Sequence, residues 1–134
     1  PLAEHKDIVL NCSGGALIIG SDTLLYRLVF NLVENAIRYS RPGSTVNVSI
    51  CDNDSHVFLR VEDQGPGIPK QYRESIFQPF FRLDKSRSRA YGGAGLGLAL
   101  VWEIAALHGG TVEVEASSEN GATMLTTLPK RTAA

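Results

Sequence analysis

The sequence predicts an α+β domain in which one mixed or antiparallel sheet carries helices on one face. Three observations predict it. Two alternating apolar runs, Val46 to Ile50 and Val57 to Val61, flank the polar turn Asp52, Asn53, Asp54, Ser55 and read as a β-hairpin. Two longer apolar stretches, Leu24 to Ser40 and Leu96 to Leu107, have helical length. The elements follow one another as strands, helix, hairpin, loop, helix, hairpin, which is not the βαβ alternation of a parallel sheet.

A chain of 134 residues is long enough for one domain with a sizeable core, and its 43% apolar and 20% charged residues fit a soluble globular domain. The net charge of −1 supplies no basic field for nucleic acid. No apolar run reaches the length of a membrane span, and no signal peptide opens the chain. Cys12 and Cys51 lie far apart with no CxxC pattern, so they are expected as buried or half-buried thiols of a reducing compartment. The start at Pro1 and Leu2, without Met, suggests a piece of a larger protein, and there is no internal repeat.

Taken in order, Ile8 to Leu10 and Leu17 to Ile19 are expected as two strands around a turn at Asn11, Ser13, Gly14 and Gly15. The long helix follows, capped by Ser21 or Asp22 and stopped by Arg41, Pro42 and Gly43, with no Gly or Pro inside. On a helical wheel Leu24, Leu25, Leu28, Val29, Leu32, Val33 and Ala36 form one broad apolar face, which Tyr26, Phe30 and Ile37 extend. Arg27, Asn31, Glu34, Asn35 and Arg38 share the narrow polar arc. After the hairpin, Glu62 to Pro69 can be neither helix nor strand. Tyr72 to Ile76 is expected as a short helix. Arg82 to Gly93, with Arg82, Lys85, Arg87 and Arg89 and few apolar anchors, reads as a long mobile loop. The second helix ends at His108, Gly109 and Gly110. Val112 to Val114 and Met124 to Leu128 are two last strands joined by a turn over Ser117 to Gly121.

Three clusters carry chemistry. Asn is a poor helix-interior residue, yet Asn31 and Asn35 stand one turn apart on one face, with Arg38 beside them. Two neutral amide oxygens next to a cation suit a hard metal ion and the phosphate it binds, although a merely solvated stripe would look the same in isolation. Gly92, Gly93, Gly95 and Gly97 sit where a loop becomes a helix, so backbone N–H groups can approach an anion. The cluster is neither GxGxxG, since position 98 is Leu98, nor a P-loop, since no Gly-Lys-Ser/Thr follows. Asp63, at the end of a strand and ahead of Gly65, Pro66 and Gly67, is either an ordinary turn residue or an acceptor for a ligand amine. An acceptor there favours adenine, which offers an N–H where guanine offers a carbonyl.

Four blocks, in their order and spacing, resemble the catalytic and ATP-binding domain of sensor histidine kinases, in the GHKL superfamily of ATPases and kinases. NLVENAIRYS from Asn31 resembles its N box, DQGPGI from Asp63 its G1 box, IFQPFFR from Ile76 its F box, and GAGLGL from Gly93 its G2 box. His108, Gly109, Gly110 and the ending from Gly121 through Thr123 to Pro129 also match, so the resemblance covers essentially the whole chain. It implies a Bergerat-type two-layer α/β sandwich, a mixed sheet of about five strands covered on one face by about three helices, with a mobile ATP lid. It implies ATP and Mg²⁺ as ligands, with Asn31 and Asn35 on the metal and Arg38, where Lys is common, on phosphate. Tyr39, Gly65, Gly67 and Ile68 would border the adenine, with Asp63 on its amino group and Thr123 beside Asp63. Gly93, Gly95, Leu96, Gly97 and Leu98 would form the closing flap, Phe77 and Phe80 would anchor the near end of the loop, and Lys85 and Arg87 would reach the γ-phosphate, Arg89 less so. Ala94 replaces a frequent Thr, and Met124 a frequent Phe.

The superfamily also contains hydrolases, among them type II topoisomerases, mismatch-repair ATPases and a heat-shock chaperone, in which a Glu one turn before the metal-binding Asn activates water. Asn31 holds that position here and cannot take a proton at neutral pH, which favours transfer to another acceptor. Glu34 lies off that position by helical spacing and reads as a supporting or solvated residue. His5, His56 and His108 lack the surroundings of a phosphoacceptor. The resemblance therefore implies a protein-histidine kinase domain over 1–134 whose acceptor lies on a separate histidine-containing dimerisation domain of the same protein, and which serves a response regulator through it. The alternatives are an ATP-binding regulatory module without kinase activity and a GHKL-type ATP hydrolase. The piece itself is expected to be monomeric and cytoplasmic, its parent a membrane-bound sensor by family resemblance.

Overall fold

A computed structural model describes residues 7–79, 81 and 97–131. The chain runs β1 (Val9–Gly14), α1 (Asp22–Tyr39), β2 (Thr45–Asp52), β3 (His56–Glu62), two single 3₁₀ turns (Lys70–Tyr72 and Ser75–Phe77), α2 (Gly97–Leu107), β4 (Thr111–Ser118) and β5 (Gly121–Pro129). The five strands form one sheet in the order β1-β2-β3-β5-β4. β1 pairs parallel to β2 and every other pair is antiparallel, so the sheet is mixed. The parallel pair follows from α1, whose length carries the chain back to the starting edge of the sheet.

α1 begins where its sequence places it. Ser21 is the cap, and its Oγ accepts from the N–H of Leu24 at 3.2 Å, with Asp22 in the first turn complementing the helix dipole. The helix ends at Ser40, and Gly43 takes the left-handed backbone (φ +80°) that the reversal into β2 requires. Leu28, Leu32, Ala36 and Ile37 are buried against the sheet and α2. Tyr26 and Phe30, expected to widen the apolar face, are 72% and 50% exposed because they lie outside both contacts.

The core lies between the helices and the inner sheet face, where Val46, Val48, Leu59, Val61, Val112, Met124 and Leu128 meet Leu28, Leu32, Val101, Ile104 and Ala105. The outer face is polar. Asn11 donates to Asn47 and Asn47 to Glu62, tying β1, β2 and β3. The Arg60 guanidinium grips Glu115 with two bonds of 2.7 and 2.9 Å across β5, above Leu125, which is buried although it points outward. Both cysteines are free and exposed, which corrects the expectation of covered thiols: β1 is an edge strand and Cys51 stands on the outer face. No described helix is long and apolar enough to cross a membrane.

Two further expectations need correction. Leu17 to Ile19 form no strand, because β1 takes β2 as its partner; among the described residues Ile19 N–H donates to the carbonyl of Lys130. In place of one helix over Tyr72 to Ile76 there are two 3₁₀ turns, Lys70–Tyr72 and Ser75–Phe77. The last hairpin is longer than its apolar cores, with a bulge between Val114 and Ala116.

Thr126 is completely buried on the inner face of β5, and its Oγ1 has no hydrogen-bond partner among the described residues. Thr126→Val keeps the branched shape and removes the unsatisfied hydroxyl. It is expected to raise the unfolding free energy by about 1 kcal/mol, measured as a shift of the urea midpoint at constant slope. A lower midpoint would show that the hydroxyl is bonded in solution.

Candidate functional site: a cleft between two helices and a glycine loop

The loop that follows β3 is fastened on two sides. Asp63 is the first residue after the strand and stays paired to β5, its N–H donating to the carbonyl of Ala122 at 2.9 Å. Its carboxylate turns inward and is buried. Oδ1 accepts from the N–H of Gly65 at 3.0 Å and from the N–H of Ala122 at 3.1 Å. Oδ2 accepts from no described residue, so it is left to a ligand or water. Burial pushes the carboxyl above its ordinary value of 3.8, Glu62 adds to the rise, and the two N–H bonds oppose it.

On the α1 side, Gln64 N–H donates to Ser40 Oγ at 3.1 Å, and Arg41 N–H donates to the carbonyl of Gln64 at 3.2 Å. Gly65 lies so close to Tyr39 that a Cβ would sit 2.2 Å from the Tyr39 carbonyl oxygen. On the hairpin side, Ile68 N–H donates to Ser117 Oγ at 2.7 Å. Gly67, at φ +79°, presses on the backbone of Ser118. Glycine is needed at 65 and 67 for close approach, and at 67 for its backbone as well. The loop thereby joins the C-terminal end of α1 to the β4–β5 hairpin, with the Asp63 carboxylate between them.

One and two turns back along α1 stand Asn35 and Asn31. The Asn31 Nδ2 donates to the carbonyl of Arg27 at 2.8 Å, which fixes the amide so that Oδ1 points away from the helix. That oxygen faces Gly97, the first residue of α2: a Cβ on Gly97 would stand 3.5 Å from it. The amide of Asn35 makes no hydrogen bond to a described residue, so both oxygens are available on one face. Arg38 extends this face and bonds Glu34 at 2.9 Å, which gives Glu34 the role of a partner to a cation and not of a base.

Asn31, Asn35, Arg38, Tyr39, Asp63, Gly65, Gly67, Ile68, Gly97 and Leu98 thus lie along one path from the start of α2, down α1, to the loop after β3. Thr123 is not part of it. The residue beside Asp63 is Ala122, and Thr123, one step on, is in register with Glu62 and faces the other side of the sheet. Phe77 is buried and packs at a tilt against Trp102 of α2, 5.5 Å between ring centres, while Phe81 meets Tyr72 at 5.7 Å. Phe80, Lys85, Arg87, Arg89, Gly93, Gly95 and Leu96 lie outside the described residues. Ser117 escaped sequence reasoning, because a serine in a hairpin carries no signal until the fold brings it to Ile68. Among the described residues there is no group of three or more His, Cys, Asp and Glu that could hold a metal ion.

A mixed sheet covered, among the described residues, by two antiparallel helices, with amides on one helix and a buried aspartate at a strand end, defines a nucleotide-binding domain of the GHKL class. The chain belongs to the family described as histidine kinase-, DNA gyrase B-, and HSP90-like ATPase, whose profile matches residues 20–132. It is 45% identical over 129 residues, 95% of its length, to the sensor-like histidine kinase SenX3 of Mycobacterium tuberculosis, covering 32% of that protein. To the sensor protein RstB of Escherichia coli it is 50% identical over 99 residues, 74% of this chain and 22% of RstB. The chain therefore spans about a third or less of these relatives. Among solved structures, the mycobacterial sensor histidine kinase MprB superposes with a TM-score of 0.82 at 34% identity, covering 98% of this chain and 89% of that one. Full-length ShkA in complex with AMPPNP also superposes with a TM-score of 0.82, at 30% identity, over 100% of this chain and 28% of that one. The two-layer α/β sandwich expected from the sequence is the fold these domains share.

The raised Asp63 carboxyl has a consequence for stability. Such a group binds its proton more tightly folded than unfolded, so its buried charge costs stability above the folded pKa. The cost fades as pH falls toward 3.8. Asp63→Asn keeps an oxygen for the N–H groups of Gly65 and Ala122 and removes the charge. Its stability is expected to equal or exceed the parent's at pH 7, with the advantage shrinking toward about pH 4. Urea titrations of both proteins across this range measure it, and a variant weakened at pH 7 would show that the charge itself holds the loop.

Proposed function

We propose that this domain binds MgATP in the cleft and transfers the γ-phosphate to a histidine on a separate domain of the same protein, as the catalytic part of a two-component sensor kinase. The observation that carries the reading is the buried Asp63 carboxylate, which has one oxygen committed to the backbone and one left over. An adenine amino group donates to that second oxygen, whereas the guanine carbonyl at the same place would be repelled. Tyr39 and Ile68 border the base, and Gly65 and Gly67 let the backbone come close. Asn31 and Asn35 offer amide oxygens to Mg²⁺, which would neutralise the triphosphate, and Arg38 adds a fixed cation. Lys85 and Arg87 are the proposed further cations at the γ-phosphate. The AMPPNP bound by ShkA, a triphosphate analogue with an adenine base, supports this assignment.

Kinase chemistry is favoured over hydrolysis by Asn31, an amide where a general base for water would have to stand. Glu34 is engaged with Arg38 and does not replace it. Phosphoryl transfer asks mainly for positioning and charge neutralisation, which the cleft supplies, and leaves the nucleophile to a partner. The stacked pair Tyr26 and Phe30, ring centres 6.2 Å apart, together with Leu100, lines an open groove that also includes Asn31. An apolar helix carrying the acceptor histidine would find its docking surface there, next to the metal and γ-phosphate. A response regulator would be served through that histidine domain, in the cytoplasm, and names such as sensor protein RstB suggest a sensory parent.

Titration with ATP and GTP, with and without Mg²⁺, tests the reading. ATP is expected to bind at least ten times more tightly than GTP. Asp63→Asn is expected to lose about tenfold in ATP affinity, consistent with one lost charge-assisted hydrogen bond, and Asn35→Ala to lose the Mg²⁺ dependence. Equal binding of both nucleotides would refute the adenine assignment. Incubated alone with MgATP, the domain is expected to remain unphosphorylated by mass spectrometry. With its histidine domain added it should transfer phosphate, and Tyr26→Ala with Phe30→Ala should slow transfer while ATP affinity is kept.

A further inference from the structure

His108 is buried, and the chemistry proposed above does not use it. It is the residue just beyond α2, and both ring nitrogens are committed to backbone groups. Nδ1 lies 2.8 Å from the carbonyl of Ile104 and must donate to it. Nε2 lies 3.1 Å from the N–H of Ser21 and must accept from it. These two bonds select the Nδ1–H tautomer of the ring. Ser21 is also the cap of α1, so the cross-link joins the last turn of α2 to the first turn of α1. Gly20 lies flat on the ring: a Cβ there would stand 2.7 Å from Cδ2 and 2.9 Å from Nε2.

The other end of α2 is Gly97, set against the Oδ1 of Asn31. The two helices are therefore antiparallel neighbours that touch at both ends of α2. Their lengths agree: the 11 residues of α2 rise about 16 Å, and the ten steps from Ser21 to Asn31 rise about 15 Å. Around these ends the helices share one apolar core, to which α1 gives Leu28 and Leu32 and α2 gives Val101, Ile104 and Ala105. Apolar contact is non-directional, so it resists separation better than it resists sliding. The imidazole bonds are directional and tolerate little sliding.

We propose that His108 sets the axial register of α2 on α1 and thereby places the backbone of Gly97 against the metal-binding oxygen of Asn31, which makes it a positioning residue for MgATP. The claim rests on the nucleotide reading above, and it has a test that does not need nucleotide. The amide of Gln reaches the place of Nε2 and can still accept from Ser21. The amide of Asn reaches only the place of Nδ1 and can still donate to Ile104, but it cannot cross to α1. Gln is therefore the rescuing variant and Asn the disconnecting one.

In the nucleotide-free protein, the NMR cross-peak between Gly97 Hα and the Asn31 side-chain amide is expected in the parent and in His108→Gln, and to be lost or weakened in His108→Asn. The imidazole nitrogens of the parent should show Nδ1 protonated and Nε2 bare. MgATP dissociation constants should stay within about twofold for Gln and rise about fivefold or more for Asn, the factor that one lost hydrogen bond produces. Thermal unfolding of both variants is followed alongside, because a uniform loss of packing would lower both melting points and weaken both affinities together. That parallel loss, or an Asn variant with the cross-peak and affinity of the parent, would overturn the proposal. A parent that keeps the cross-peak but binds no ATP would refute the nucleotide reading and leave the register role standing.

Discussion

The site depends on one carboxylate oxygen. Asp63 Oδ1 takes two backbone N–H groups, one from its own loop at Gly65 and one from β5 at Ala122. Without that shared acceptor, the start of the loop would lose its side-chain tie to β5 and keep the backbone bond of Asp63 to Ala122 with the bonds at Ser40, Arg41 and Ser117. With it, the turn is closed, the hairpin is attached, and the second oxygen is exposed to the cleft. The interaction has a cost, since burial raises the carboxyl and works against the charged form. A structural role alone would be met by a neutral amide. The charge is the part of the residue that the proposed adenine contact would use.

The rest of the cleft is built by similar double use of backbone and small residues. Gly65 and Gly67 permit contacts that any side chain would block, and Ser40 and Ser117 supply short hydroxyls that fasten the loop from opposite sides. The helix carrying Asn31 and Asn35 is held rigidly beneath by Leu28, Leu32 and Ala36, so the amides stand on a packed element. Under the proposed reading, neutral helix-borne amides would hold the metal without repelling a triphosphate, and Arg38 would add positive charge beside them.

Much of this architecture was legible in the sequence where local chemistry and tertiary need agree. The β2–β3 hairpin showed in its alternation and polar turn, and α1 in its serine cap and its Pro-Gly stop. The four blocks were found by their spacing. Three of the misreadings share a cause, which is that partners distant in sequence decide them. Leu17 to Ile19 looks like a strand but has no strand to pair with, because β2 has taken the position beside β1. Tyr26 and Phe30 fit the apolar side of a wheel, yet a helix packed on only two neighbours leaves part of that side open. Thr123 was one residue out: in a strand a single step turns the side chain to the opposite face, and the register against β3 gives the place beside Asp63 to Ala122.

The sequence by itself determined the kinds of group available: amides at helical spacing, an aspartate at a strand end, glycines where backbone must come close. Those follow from residue type and short-range periodicity, which need no knowledge of the fold. Only the tertiary structure decided how these groups are oriented. The turn of the Asn31 amide depends on the carbonyl of Arg27, the spare oxygen of Asp63 on the N–H of Ala122, and the alignment of α2 on α1 on the bonds His108 makes at both ring nitrogens. Hydrogen bonds are directional; the Arg27–Asn31 and Ile104–His108 bonds are local to one helix, but Ala122 to Asp63 and Ser21 to His108 span long stretches of chain, so what those two orient is settled when the layers pack.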